Sequence, residues 1–176
     1  MFDEKGFCGL YSDDAVEALD TGSFPFITRH LGEGIYFYVC KEEDRCVLFS
    51  KIFSFAEDVR RAKNSKRKDY EQVICLTADI YCEEDELYDF REMGERVNFF
   101  RLARDIEQSY TSDGTPALNF DVLCVHILNT MKVSNNIKIT IGNFSQFYTV
   151  EDGLGVETVC VTSHNNIKHN TVKKVR

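Results

Sequence analysis

A chain of 176 residues has the length of one domain, here 1–176, and its 43% hydrophobic and 12% aromatic content is enough to bury a core without disulfides or a structural metal. The net charge of −8 excludes general polyanion binding as the whole function, while leaving room for a local basic patch. No apolar run approaches the roughly 18 to 20 residues of a membrane span, and the acidic start Met1-Phe-Asp-Glu-Lys-Gly6 is unlike a secretory signal, so a cytoplasmic protein without membrane contact is expected.

Gly6-Phe-Cys-Gly-Leu10 reads as a first strand. Ser12 to Leu19 reads as a helix, with Ala15, Ala18 and Leu19 on one face and Ser12 or Asp13 as its cap, and Thr21-Gly-Ser-Phe-Pro25 ends it. The run Leu31-Gly-Glu-Gly-Ile-Tyr-Phe-Tyr38 is the most informative. Gly32 and Gly34 permit a sharp turn and the close approach of a flat ligand to the backbone, and Ile35 to Tyr38 then alternates as a strand. Taken alone, the same pattern also describes a glycine-flanked strand entering an ordinary core.

Glu42 to Ala62 keeps Val47, Leu48, Ile52 and Phe55 at helical spacing, and a basic run with six cations among nine residues, Arg60 to Lys68, follows. Gln72 to Tyr81 predicts a central strand closed by an acidic turn at Glu83 to Glu86. Arg91 to Tyr110 predicts an amphipathic helix on the sheet. Asp113-Gly-Thr-Pro116 is a turn, and the short apolar run Asn119 to Asn129 fits either helix or strand. Ile137 to Ile141, Phe144 to Val150, Val156 to Val161 and Thr171 to Val175 read as strands. No repeat or low-complexity linker divides the chain.

The seven cysteines are odd in number and mostly embedded in apolar segments, which suits a reducing compartment. There is no Cys-x-x-Cys, and none of the four histidines stands at a zinc-ligand spacing from a cysteine pair, so no metal site is expected. Most of these cysteines read as small buried hydrophobes.

Three marks occur in order: Cys8-Gly-Leu-Tyr-Ser-Asp-Asp-Ala-Val-Glu-Ala-Leu19, Gly32-Glu-Gly-Ile-Tyr-Phe37 and Glu157-Thr-Val-Cys-Val161. Together they resemble the ADP-ribosyltransferase fold of the poly(ADP-ribose) polymerase and diphtheria-toxin type, in its His-Tyr-Glu group and its small bacterial or phage members. The second mark is similar to that group's tyrosine strand, and the third to its late strand opening on a glutamate. The group's first mark, His-Gly-Thr-Ser and a short helix, aligns without gaps, but Cys8 stands where the histidine belongs. The likeness covers about residues 6 to 62 and 156 to 168, and the middle matches only in strand-helix order. It implies an α+β fold of split antiparallel sheets around an NAD cleft, with flanking helices.

The resemblance also implies roles. Glu157 is the catalytic carboxylate, which stabilises the oxocarbenium-like state as the bond from nicotinamide to ribose breaks. Glu151 and Asp152 are nearby alternatives, but they lack the apolar alternation that follows Glu157. Tyr36 stacks on nicotinamide, Phe37 is counted with the NAD-binding segment although, on the opposite face, it reads as core, and Phe55 is either a second ring beside the ligand or part of the helix core. Gly9 offers its backbone to the carboxamide. Cys8, in the ribose-anchoring place, is a weaker donor than histidine, a loss of about 0.5 to 1.5 kcal/mol, and no neighbouring cation activates it as a nucleophile.

Gly155 stands where arginine-directed members carry a second glutamate, and the chain has no room for the helical domain of polymer-forming members, so a single transfer to a macromolecule is implied. That acceptor is a protein or a nucleic acid, with a small molecule as the remaining alternative; the basic run suggests nucleic acid but also reads as a solvated loop kept soluble by its charge. A toxin or defence setting with an antitoxin-like inhibitor is likewise implied. The competing expectations are a catalytically silent NAD-binding or protein-interaction module, and an NAD glycohydrolase with water as acceptor.

Overall fold

The computed structural model describes residues 1–40, 45–66, 72–112, 119–142 and 156–175. The strands are β1 (Phe2–Tyr11), β2 (Ile27–Arg29), β3 (Gly32–Cys40), β4 (Val73–Cys82), β5 (Leu87–Asp89), β6 (Ile139–Ile141), β7 (Val156–Val161) and β8 (Ile167–Lys174). The helices are α1 (Ser12–Thr21), α2 (Arg45–Ala62), α3 (Met93–Ser112) and α4 (Phe120–Ser134). The fold is α+β: the eight strands form a sheet in the order β5-β6-β7-β3-β1-β4-β8, with β2 paired to β3 off that path.

Pairing is antiparallel except between β5 and β6, a departure from the all-antiparallel expectation. Parallel neighbours need a long crossover, and α3 and α4 lie between these two strands in sequence. β1 pairs with β4 along its whole length, from Phe2↔Cys82 to Tyr11↔Val73. β1 and β3, at the centre of the sheet, meet at a single pair, Phe7↔Tyr38.

Local chemistry explains most of the elements. In β4 the buried positions Leu76, Ala78, Ile80 and Cys82 alternate with partly exposed ones, the period of a strand with one dry face. The ambiguous run from Asn119 becomes a helix because the Asn119 side chain accepts from the backbone N–H of Asp121 and Val122, and Leu123, Cys124, Ile127 and Leu128 then share one buried stripe. The cap expected for α1 is not used: Tyr11 precedes the first turn in extended conformation and makes no side-chain cap bond. Gly22, at φ +72°, closes that helix with its N–H on Ala18 O at 3.0 Å.

Two strands were not foreseen, because β2 and β5 have three residues each and are too short to show alternation. The first and last strands run longer than expected. The helix start expected at Glu42 to Asp44, the Arg67 and Lys68 end of the basic run, the turn expected at Asp113 to Pro116, the strand expected at Phe144 to Val150, and Glu151, Asp152 and Gly155 lie outside the described residues.

α2 lies so close to β1 that a Cβ on Gly9 would sit 2.2 Å from Ile52 Cγ2 and 2.4 Å from Ile52 O. The second of these is backbone, which cannot swing aside. Gly9→Ala is therefore expected to cost about 3 kcal/mol, read as a fall in urea midpoint with unchanged slope. Gly94→Ala in α3, where nothing lies within 4 Å of the new carbon, serves as control and changes stability by less than about 1 kcal/mol. A wild-type midpoint for Gly9→Ala would mean that α2 can withdraw from β1.

Candidate functional site

The sheet order puts β3 between β1 and β7, so the strand of Cys8 and Gly9, the strand of Tyr36 and the strand of Glu157 are consecutive neighbours. The register pairs Tyr36 with Cys160 and Val39 with Glu157. Side chains alternate along a strand, so Tyr36, Tyr38 and Cys160 share one face, and Phe37 and Glu157 share the other. By the pair Phe7↔Tyr38, Gly9 belongs to the Tyr36 face and Cys8 to the Phe37 face. The structure thus brings Gly9, Tyr36 and Phe55 together beneath α2 and leaves Cys8, Phe37 and Glu157 on the reverse side.

Tyr36 is fully buried. Its hydroxyl donates to Gly32 O at 2.6 Å and accepts from Leu31 N at 3.1 Å. Burial, with the nearby Cys160 thiol, pushes the phenol far above its ordinary range. The Tyr36 and Phe55 rings stand 6.1 Å apart at 35°, and Tyr38 meets Phe55 edge-on at 6.4 Å. Arg29 lies against this aromatic corner, its guanidinium carbon 5.7 Å from the Tyr36 centroid and 5.9 Å from that of Phe55. The guanidinium donates to Tyr38 Oη at 2.6 Å and pairs with Asp58 at 3.1 Å. A flat cation of the protein itself therefore occupies the neighbourhood of the two rings.

The two glycines of the opening motif are approached by the protein's own chain. Gly32 has φ +85°, and a Cβ there would lie 2.3 Å from Asn129 Oδ1 and 2.9 Å from Lys132 Nζ. At Gly34 the added carbon would meet Cys160 Sγ and Val161 O, each at 2.6 Å. Lys132, on α4 and only 7% exposed, donates to Leu31 O at 2.6 Å, Glu33 O at 3.0 Å and Cys160 Sγ at 3.1 Å. Asn129, one turn earlier, accepts from Glu33 N at 2.7 Å. Sequence reasoning missed both residues, although their spacing of three places two polar side chains on one side of the helix.

Cys8 has no exposed surface, and its burial, with Cys75 near it, pushes the thiol well above the ordinary range, which makes it a core thiol and a poor nucleophile. Phe37 is buried and packs on Phe24, with centroids 5.2 Å apart. Glu157, by contrast, is one-third exposed, and its Oε2 accepts from Arg91 Nη1 at 2.8 Å. Arg91 also grips Asp89 with Nε at 2.8 Å and Nη2 at 2.5 Å. Neither Arg91 nor Asp89 was foreseen, because only the β5-β6-β7 order brings them to Glu157.

The described part of the basic run is largely neutralised. Arg60 binds Glu57 at 2.5 Å, Arg61 pairs with Asp58 at 3.9 Å, and Lys63 pairs with Asp14. A small cavity of about 100 Å³ nearby is lined by Tyr11, Asp13, Asp14, Arg60, Lys63 and Ser65, a mixed-charge wall unlike a phosphate cradle. Among the described residues no helix is long and apolar enough to cross a membrane, and no three His, Cys, Asp or Glu side chains gather as a metal site. Comparison with known protein families, curated proteins and solved structures finds no match to this chain.

Beside Tyr36, at 6.1 Å between centroids, the His30 ring is held down to about 4 by burial, assisted by the charges of Arg29 and Lys51. The native state keeps this imidazole neutral, while the unfolded chain protonates near 6.5. Between those values the unfolded state binds the additional proton, so stability falls as pH drops from 6.5 towards 4, by as much as about 3 kcal/mol. Urea midpoints at several pH values should show this loss, and His30→Asn should flatten it. A His30 proton titrating near 6.5 in the folded protein would contradict the assignment.

Proposed function

We propose that the chain is an NAD-dependent mono-ADP-ribosyltransferase domain of the His-Tyr-Glu type, its cleft lying where β1 and β3 separate. The observation that carries this reading is the contiguity of β7, β3 and β1, which makes neighbours of three segments far apart in sequence. The single-pair join between β1 and β3 supports a split of the sheet at that line.

The chemistry follows from the side chains. Tyr36 and Phe55 already hold a flat cation, and the pyridinium ring of NAD is another. Gly9 offers backbone groups to the carboxamide, and Glu157 presents a carboxylate to the ribose as positive charge develops on it. Because Tyr36 and Glu157 leave the sheet on opposite faces, binding NAD at both would require β1 and β3 to part and the α2 backbone at Ile52 to draw back from Gly9. ADP-ribose then passes once to a macromolecular acceptor. With Arg60, Arg61 and Lys63 paired to acids, a protein acceptor is the simpler choice over a nucleic acid.

A second reading, a silent NAD-binding or interaction module, draws support from the committed Tyr36 hydroxyl and from Cys8 in the core. A glycohydrolase differs from the transferase only in taking water as acceptor.

Nicotinamide release from NAD is the deciding measurement. Release is expected, and Glu157→Gln should lower it by about 100-fold or more while NAD still binds. Label from NAD appearing on a macromolecule selects transfer, and free ADP-ribose selects hydrolysis. Binding without release selects the silent module, and wild-type turnover in Glu157→Gln would show that another carboxylate does the work.

A further inference from the structure

The pair formed by Arg91 and Glu157 is more elaborate than its setting requires. Arg91 is 40% exposed and Glu157 34%, so a simple ion pair here would contribute little to stability. Yet Arg91 is fixed from three directions. Its backbone N–H donates to Asp89 Oδ1 at 2.8 Å. Its Nε and Nη2 grip the same carboxylate as a two-pronged fork, so the guanidinium plane is set before Glu157 is met. Its main chain is held in place by Phe90, which is fully buried and donates its N–H to Ile141 O at 2.9 Å. Gly142, at φ +128°, lies so close that a Cβ there would be 2.9 Å from Phe90 Cβ and 3.4 Å from Arg91 N.

One arm of this fixed guanidinium, Nη1, reaches Glu157 Oε2 at 2.8 Å. Among the described residues the other oxygen, Oε1, carries no hydrogen bond, so the contact orients the carboxylate and leaves one oxygen to face a substrate. The charges also suit that task. A lone guanidinium would cancel the negative charge needed beside a forming oxocarbenium, but Asp89 offsets it, and the three side chains together keep a net charge of −1.

We propose that Arg91, braced by Asp89, is the positioning residue that aims Glu157 at the ribose. This inference rests on the transferase reading and on Glu157 as its carboxylate. Arg91 touches no substrate and acts through the orientation of Glu157.

The test is steady-state nicotinamide release by the full chain. In Arg91→Ala, kcat should fall about 10- to 100-fold while KM for NAD and the urea midpoint stay near wild type. Arg91→Lys, which keeps the charge but loses the fork, should fall between wild type and alanine. Free guanidinium ion, at concentrations too low to unfold the protein, should restore part of the Arg91→Ala activity and none of the Glu157→Gln activity. Asp89→Asn should also slow turnover, because it both loosens the fork and leaves the guanidinium charge uncompensated. An active enzyme in which Arg91→Ala keeps wild-type kcat, or loses it with no rescue by guanidinium, overturns the inference and leaves the transferase reading intact. Absence of nicotinamide release from the wild-type chain removes the transferase reading and the inference with it.

Discussion

The ammonium of Lys132 is the tie on which the centre of the molecule depends. It reaches from α4 to the carbonyls of Leu31 and Glu33 at the start of β3, and to Cys160 in β7, so one buried charge joins a helix, a turn and a neighbouring strand. A lysine this deeply buried is costly unless its donors are satisfied, and here two carbonyls and a thiol do so. The same turn receives the Tyr36 hydroxyl from below, on Gly32 O and Leu31 N. The backbone of residues 31 to 33 is thus specified by side chains from two elements. That in turn fixes where β3 begins and which of its side chains face α2.

From this point the two faces of the sheet acquire different characters. The α2 face is aromatic and cationic, with Tyr36, Tyr38 and Phe55 around Arg29, and its charge is balanced by Asp58. The reverse face is dry around Cys8 and Phe37, and Glu157 emerges from it, one-third exposed, at the start of β7. Burial governs chemistry accordingly. A thiol or a phenol without water keeps its proton, so Cys8 and Tyr36 are structural groups, whereas the Glu157 side chain is one-third exposed.

Much of the architecture was legible in the sequence, because it was written in periodicity. The helices at Ser12, Arg45 and Met93 and the strands through Tyr36, Leu76 and Val159 follow from apolar spacing alone. The sequence left undecided whether the segment after Asn119 was helix or strand, and the cap at Asn119 decides it. What spacing could not supply was contact across the sheet. Arg91 and Glu157 are 66 residues apart, and no local pattern announces their pairing. Lys132 was visible as a polar residue on α4, but two of its partners are backbone carbonyls, which carry no sequence signature, and the third, Cys160, lies 28 residues away.

The glycines show the same limit more sharply. A Gly-x-Gly before an aromatic strand records that something comes close to the backbone, and it does not record what. At Gly32 and Gly34 the close neighbours are Asn129, Lys132 and the β7 backbone, and at Gly9 the neighbour is the Ile52 backbone. These contacts are made by the protein's own chain. A position without a side chain tolerates a helix or strand pressed against it, so packing within the chain accounts for all three glycines. Arg29 completes this packing, since its guanidinium carbon stands 5.7 Å from the Tyr36 centroid and 5.9 Å from that of Phe55 and gives both rings a cationic partner from within the chain.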